Sequence, residues 1–239
     1  MIAIRNEPLS AKAMDELSRY QAEVDAETDF DKRVDLARSK FENRNRPDHT
    51  VFSEVRKTLA SMCSGAQRCV YCEDSCADEV EHHHPVRWYP EKTFEWLNYL
   101  YACGSCNGPK GSGFSTDLLH PRVENPLDFL MLDLTGTFLF VPTNSAGTSE
   151  HQRASYTIQL LRLNVRSYLP VARREAYDSY RARLKEYIAD RDKGAPITQR
   201  IQSLQRMAHP TVWHEMKRQH KLVPELKDLF TQAPEALHW

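Results

Sequence analysis

Apolar positions along this 239-residue chain recur three and four residues apart at both ends and lose that period in the middle. Ala13, Met14, Leu17, Tyr20 and Val24 predict a helix over 9–26. Thr28 or Asp29 can cap a second helix that carries Phe30, Val34, Ala37 and Phe41 on one face. Residues 43–48 read as a break, and Val51, Val55 and Leu59 mark a third helix ending near Ser64 and Gly65. After the polar loop 144–149 the period returns. Ile158, Leu161 and Val165 form one stripe, and Tyr177, Tyr180, Leu184, Tyr187 and Ile188 a second. Beyond a break at 194–196, Ile197, Ile201, Leu204 and Met207 form a third. Stripes of this kind are more often core than anything functional. In between, 77–86 suits a strand, 93–103 a turn or short helix, and 138–141 a short strand.

The aperiodic middle carries the chemistry. Two Cys-x-x-Cys pairs, Cys69 with Cys72 and Cys103 with Cys106, offer the four thiolates of a structural Zn²⁺ site. Cys76 is a rival to Cys72 and Cys63 is a spare; either could be a small buried hydrophobe. The pairs stand further apart than in a compact zinc ribbon. The insertion holds Glu81, His82, His83, His84 and Asn98, with Asn107 and Lys110 just after the second pair. Oxygen ligands suit a hard cation such as Mg²⁺, and a neutral histidine suits proton transfer near pH 7. A purely structural zinc knuckle needs none of these groups.

The order Glu81-His82-x-x-Pro85, then Asn98, then Cys103-x-x-Cys106-Asn107-x-x-Lys110 resembles the HNH endonuclease family, in its four-cysteine zinc variant. Cys69-Val-Tyr-Cys72-Glu73 and Trp96-Leu-Asn98 look further like the PtuB-like effectors of Septu and retron antiphage defence systems. So does the stretch from Thr157 to Asn164, and the likeness covers roughly residues 50–185. That resemblance implies a mostly α chain with a small ββα-metal core, braced by structural zinc and flanked by N- and C-terminal helices. The expected division is 1–64, 65–120 and 121–239. Carried over by position, Glu81 and Asn107 are ligands of a catalytic Mg²⁺ or Mn²⁺, His82 is the general base, Asn98 braces the loop and Lys110 faces phosphate. Adjacent strand residues point to opposite faces, so Glu81 and His82 can cooperate only where the strand ends or its backbone is irregular. His82 is favoured because it follows the acidic residue and lies three before Pro85; His83 and His84 stand where relatives more often have an aromatic and a basic residue. The resemblance also implies partners: nucleic acid (DNA or RNA), a PtuA-like ABC ATPase, and in retron systems a reverse transcriptase with its RNA–DNA product.

Composition narrows the rest. No run of about 18 apolar residues occurs, and Met1 to Glu7 lacks a secretory apolar core, so a cytoplasmic protein with reduced thiols is expected. The net charge of −1 hides an uneven distribution. Residues 61–149 carry 5 basic and 11 acidic side chains, a net of −6, as a cation site would. Residues 150–227 carry 16 and 8, a net of +8. That excess reads either as solvated helix faces or as a phosphate-tracking surface with Arg162, Arg166, Arg173 and Arg174 as candidates. The leading expectation is a metal-dependent endonuclease that hydrolyses phosphodiester bonds. A catalytically silent zinc module binding nucleic acid or an ATPase is the alternative. A zinc hydrolase of another class would need a ligand set such as His-Glu-x-x-His, which is missing.

Overall fold

The computed structural model describes residues 1–65, 67–111 and 113–239. The chain begins with α1 (Ala11–Asp25), α2 (Phe30–Arg44) and α3 (Thr50–Met62). Ser10 and Asp29 cap the first two, accepting from the amides of Ala13 and Lys32 at 3.2 and 3.0 Å. There follow β1 (Glu79–His82), β2 (Tyr99–Ala102), α4 (Gly104–Lys110), β3 (Leu130–Leu132) and β4 (Phe140–Pro142). The chain ends in α5 (Ser149–Leu160), α6 (Tyr168–Asp192), α7 (Thr198–Gln205), α8 (Pro210–Gln219) and α9 (Pro224–Gln232). The described residues are thus mostly helical, with two small antiparallel hairpins, β1–β2 and β3–β4. None of the described helices is long and apolar enough to cross a membrane.

The β1–β2 hairpin divides the interior. Its register pairs Val80 with Tyr101 and His82 with Tyr99, and, on the other face, Glu79 with Ala102 and Glu81 with Leu100. Val80, Tyr99 and Tyr101 pack with Leu17, Tyr20, Phe52, Val55 and Leu59 of the N-terminal helices. Leu100 and Ala102 instead join the cysteines, α6, α8 and α9. The alternation of a pleated strand therefore sends one face to each half of the molecule.

Three local expectations are corrected. The second strand, Tyr99–Ala102, falls in a stretch read as a turn or short helix; only Trp96–Asn98 is helical there, as a single 3₁₀ turn. The alternation Tyr-Leu-Tyr-Ala is all apolar because both faces are buried, which hid the period of two. The strand at β1 covers Glu79–His82 rather than 77–86. The stripe of Ile158, Leu161 and Val165 also ends early. Arg162 turns left-handed at φ 53°, the Leu163 amide donates back to Ile158 at 3.0 Å, and Val165 lies 72% exposed beyond the helix. An arginine sits there in a conformation that glycine would have signalled.

Candidate active site and metal centre

The four cysteine sulfurs lie within 4.8 Å of one another and all four residues are buried. Cys69 and Cys72 sit on a loop whose Glu73 amide donates to the Cys69 carbonyl at 2.9 Å, with Glu73 itself left-handed at φ 62°. Cys103 follows β2 directly, and its carbonyl accepts from the Cys106 and Asn107 amides, both at 2.9 Å, as α4 begins. A tetrahedron with Zn–S bonds of about 2.3 Å has sulfurs about 3.8 Å apart. Cys72 and Cys103 stand at 3.8 Å. The donor set and its spacing are consistent with a structural zinc. Cys63 and the exposed Cys76 lie outside the cluster.

Glu73 ties the first knuckle to the C-terminal helices. Its buried carboxylate accepts from the Thr211 amide and hydroxyl at 3.1 and 2.8 Å, where α8 begins, and lies 3.0 Å from the Met1 amino group. The attached Met1 and Thr211 hold it below the usual carboxylate range in spite of its burial.

On the zinc-side face of the hairpin, Glu81 is 2% exposed. One oxygen accepts from the Tyr71 hydroxyl at 2.9 Å and the other pairs with the Lys110 ammonium from α4. Lys110 also donates to the His82 carbonyl and is itself 2% exposed. Asn107 does not meet Glu81; its amide nitrogen donates to Glu79 at 2.7 Å. In this arrangement Tyr71 and Lys110 take the Glu81 carboxylate and Asn107 is turned to Glu79, so the pair does not fit a hard divalent cation. Lys110 supplies the counter-charge for a buried carboxylate and does not face solvent.

His82 occupies the opposite face. Strand pairing is regular through His82, so its ring is turned from Glu81 and lies against Phe41 and Tyr99, with centroids 4.3 and 5.3 Å away. Its Nε2 is 2.9 Å from the Thr93 carbonyl. A carbonyl only accepts, so Nε2 carries the proton and Nδ1 the lone pair. Burial pushes its pKa down to about 4, against the Thr93 hydrogen bond, which keeps the ring neutral at pH 7. Phe41, which covers the ring, also lines a surface cavity of about 410 Å³ shared with Arg38, Arg87 and Gly111. His83 points to the Glu81 side, 4.1 Å from the His120 ring, and burial lowers its pKa also. His84 is joined to Asn98, whose Oδ1 accepts from the His84 amide at 2.7 Å. The Asn98 amide nitrogen donates to the carbonyls of His84 and Lys92 at 3.1 and 2.8 Å, cross-linking the loop between the strands.

Sequence reasoning missed Tyr71, Thr93 and His120. Tyr71 was visible, inside the first Cys-x-x-Cys pair. Thr93 acts through its carbonyl and His120 reaches the site from beyond α4, so neither carries a spacing signal. The proposed arginine surface is corrected in part. Arg173 is 1% exposed, donates to the carbonyls of Phe138 and Leu163 at 3.1 and 2.8 Å, and lies over the Phe140 ring. It is core, and no phosphate can reach it. Arg166 turns to Cys106, and Arg174 donates to Gly136.

The site therefore has the parts of a hairpin-and-helix unit with a four-thiolate centre at its base. No protein-family model matches the chain. Over 91 residues, 35% of its length, it is 35% identical to the Septu protein PtuB of Bacillus thuringiensis, covering 35% of that protein. Over 95 residues, 39% of its length, it is 25% identical to Protein ea31 of Escherichia phage lambda, covering 30% of that protein. The chain thus spans about a third of the length of the curated relatives it matches, and the similarity is distant.

Proposed function

We propose that this protein is an HNH-type endonuclease that hydrolyses phosphodiester bonds of DNA or RNA, as an effector in a Septu-like antiphage system. The observation that carries the reading is His82 at the end of β1. It is a neutral histidine with its tautomer fixed by the Thr93 carbonyl, placed on a hairpin that runs through the zinc cluster into α4. Nδ1 is then the atom that takes a proton from the attacking water. Asn98 holds the loop that carries Thr93, and so holds the histidine's orientation. Arg38 and Arg87, in the cavity beside Phe41, would attract the phosphate backbone. Similarity to a protein named for Septu supports the defence setting, and the docking of a PtuA-like ATPase belongs to the same proposal. The resemblance implies Mg²⁺ or Mn²⁺ held by Glu81 and Asn107. With Lys110 on Glu81 and Asn107 on Glu79, those residues do not fit it as arranged.

A second reading is favoured by that same ion pair. A carboxylate sealed by lysine and tyrosine suits a silent zinc module whose hairpin only joins the two helical halves. One experiment separates the two. Purified chain, with and without a co-expressed ATPase, is incubated with plasmid, single-stranded DNA and transfer RNA, with and without Mg²⁺. Cleavage that falls roughly 10²–10⁴-fold in His82→Ala, with fold and zinc retained, is the expected result for a general base. A wild-type chain that cuts nothing under any of these conditions, or a His82→Ala chain that cuts normally, refutes the nuclease assignment or the base assignment respectively.

A further inference from the structure

The turn between α5 and α6 delivers one cation to the sulfur cluster. Arg166 Nη2 lies 3.2 Å from Cys106 Sγ, and the same nitrogen donates to the Leu161 carbonyl at 3.1 Å. Its Nε donates to the Arg162 carbonyl at 3.2 Å, while Nη1 is buried with no partner. The left-handed Arg162 ends α5 and turns those two carbonyls toward the guanidinium. The planar fork is thereby held in one orientation, with one edge on backbone oxygens and one nitrogen on sulfur. A Zn²⁺ bound by four thiolates carries a net charge of −2, in a centre where all four ligands are buried. Such a charge is costly to bury without a nearby cation.

We propose that Arg166 is a positioning residue of the zinc centre: its guanidinium hydrogen-bonds the Cys106 thiolate, offsets the charge of the tetrathiolate and slows loss of the metal. This rests on the reading of Cys69, Cys72, Cys103 and Cys106 as a zinc site. The hydrogen bond holds the Cys106 thiolate in place on the metal, so zinc is less readily lost to a competing chelator. It also makes the metal and the α5–α6 turn depend on one another, so that the C-terminal helices grip the zinc unit at Cys106 as well as through Glu73.

The test uses the full chain with metal bound. Zinc content is measured first, and zinc release into excess EDTA is then followed for wild type, Arg166→Gln, Arg166→Lys and the control Arg174→Gln. Removing a group that hydrogen-bonds a metal ligand typically costs 10–100-fold in affinity. Arg166→Gln should release zinc faster by about that factor, Arg166→Lys by less, and the control at the wild-type rate. In cobalt-substituted protein the sulfur-to-cobalt charge-transfer band should move to lower energy in Arg166→Gln, because an unbonded thiolate is easier to oxidise. A role confined to holding the turn would not move that band. Wild-type release with an unshifted band in folded, zinc-replete Arg166→Gln overturns the assignment of Arg166 alone. If Arg166→Gln does not fold, Arg166→Lys decides, and a release rate equal to wild type overturns the proposal. A wild-type chain that binds neither zinc nor cobalt overturns the zinc reading and this one with it.

Discussion

Replacing Lys110 by methionine keeps most of the side-chain volume and removes only the charge that faces Glu81. Both partners are nearly sealed from solvent, with side chains 2% and 1% exposed. Two unit charges about 4 Å apart attract by about 4 kcal/mol at an effective dielectric of about 20. Breaking such a pair by removing one member typically costs about 3–5 kcal/mol, because the other charge stays buried. Tyr71 still donates to one oxygen of Glu81, which places the loss for Lys110→Met near the lower end, about 3 kcal/mol. Against a total stability of about 5–15 kcal/mol that is a large fraction. Glu81→Gln should also destabilise, since the buried Lys110 ammonium would lose its counter-charge and keep only neutral acceptors such as the His82 carbonyl. The double variant should lose much less than the sum, since replacing both members of a buried pair is often nearly neutral. Urea unfolding of the zinc-bound chain, followed by far-ultraviolet circular dichroism and by tryptophan fluorescence, gives the cycle if the two probes coincide. Losses that simply add, or a Lys110→Met loss below about 0.5 kcal/mol, would show that Lys110 is a solvent-facing group and that the sealed pair does not exist in solution.

Three further outcomes follow from the same geometry. Cys103→Ser should give insoluble or molten protein, because structural four-thiolate sites contribute on the order of 10 kcal/mol to folding; a stable, zinc-free variant with native circular dichroism would remove the metal from the account. Arg173→Ala should lose about 2–4 kcal/mol, since it strips two buried carbonyls of a charged donor, whereas the exposed Arg174→Ala should stay within about 1 kcal/mol; equal thermal shifts would contradict the placement of Arg173 in the core. Burial holds His82 and His120 down to about 4, below the ordinary histidine value, so the unfolded chain binds more protons between roughly pH 6.5 and 4. Their contribution is fully present above that window and is lost as pH falls through it, by about 1.4 kcal/mol per pH unit for each ring. His120→Gln should flatten the dependence measured by urea titration, and an unchanged slope would assign the acid loss to the thiolates instead.

Much of the site was legible because its residues act through fixed spacings. Two Cys-x-x-Cys turns specify a thiolate cluster wherever the chain brings them together, and 30 intervening residues can form a hairpin that does so. The helices at 11–25, 30–44 and 50–62 were equally legible, since one apolar stripe each and a polar cap define them. What failed was decided by partners remote in sequence. Tyr99–Ala102 is buried on both faces, so no alternation marks it as a strand. Arg173 reads as a surface cation on a helix, yet the carbonyls of Phe138 and Leu163 and the Phe140 ring make a slot for it. Val165 continues an apolar period that the chain abandons one turn earlier, so that Arg166 can reach Cys106. Composition registers these as ordinary arginines and valines.

The pleat of β1 also decides how far Glu81 and His82 can act as a unit. Each residue belongs to a different core: Glu81 to the side of Tyr71, Lys110 and the cysteines, His82 to the side of Phe41, Phe52 and Tyr99. Substituting around one should therefore leave the other's packing intact, even though they are neighbours in sequence. Lys110 is one of the links between the two sides, bonding both the Glu81 carboxylate and the His82 carbonyl. Any rearrangement that freed Glu81 would have to withdraw Lys110 and would loosen the backbone that carries His82. The N-terminal helices are on this view part of the histidine's setting rather than an appendage. Phe41 of α2 and the Thr93 carbonyl both hold the ring, and the loop bearing Thr93 is itself held to α1, with Gln21 bonded to Phe94 and Pro90.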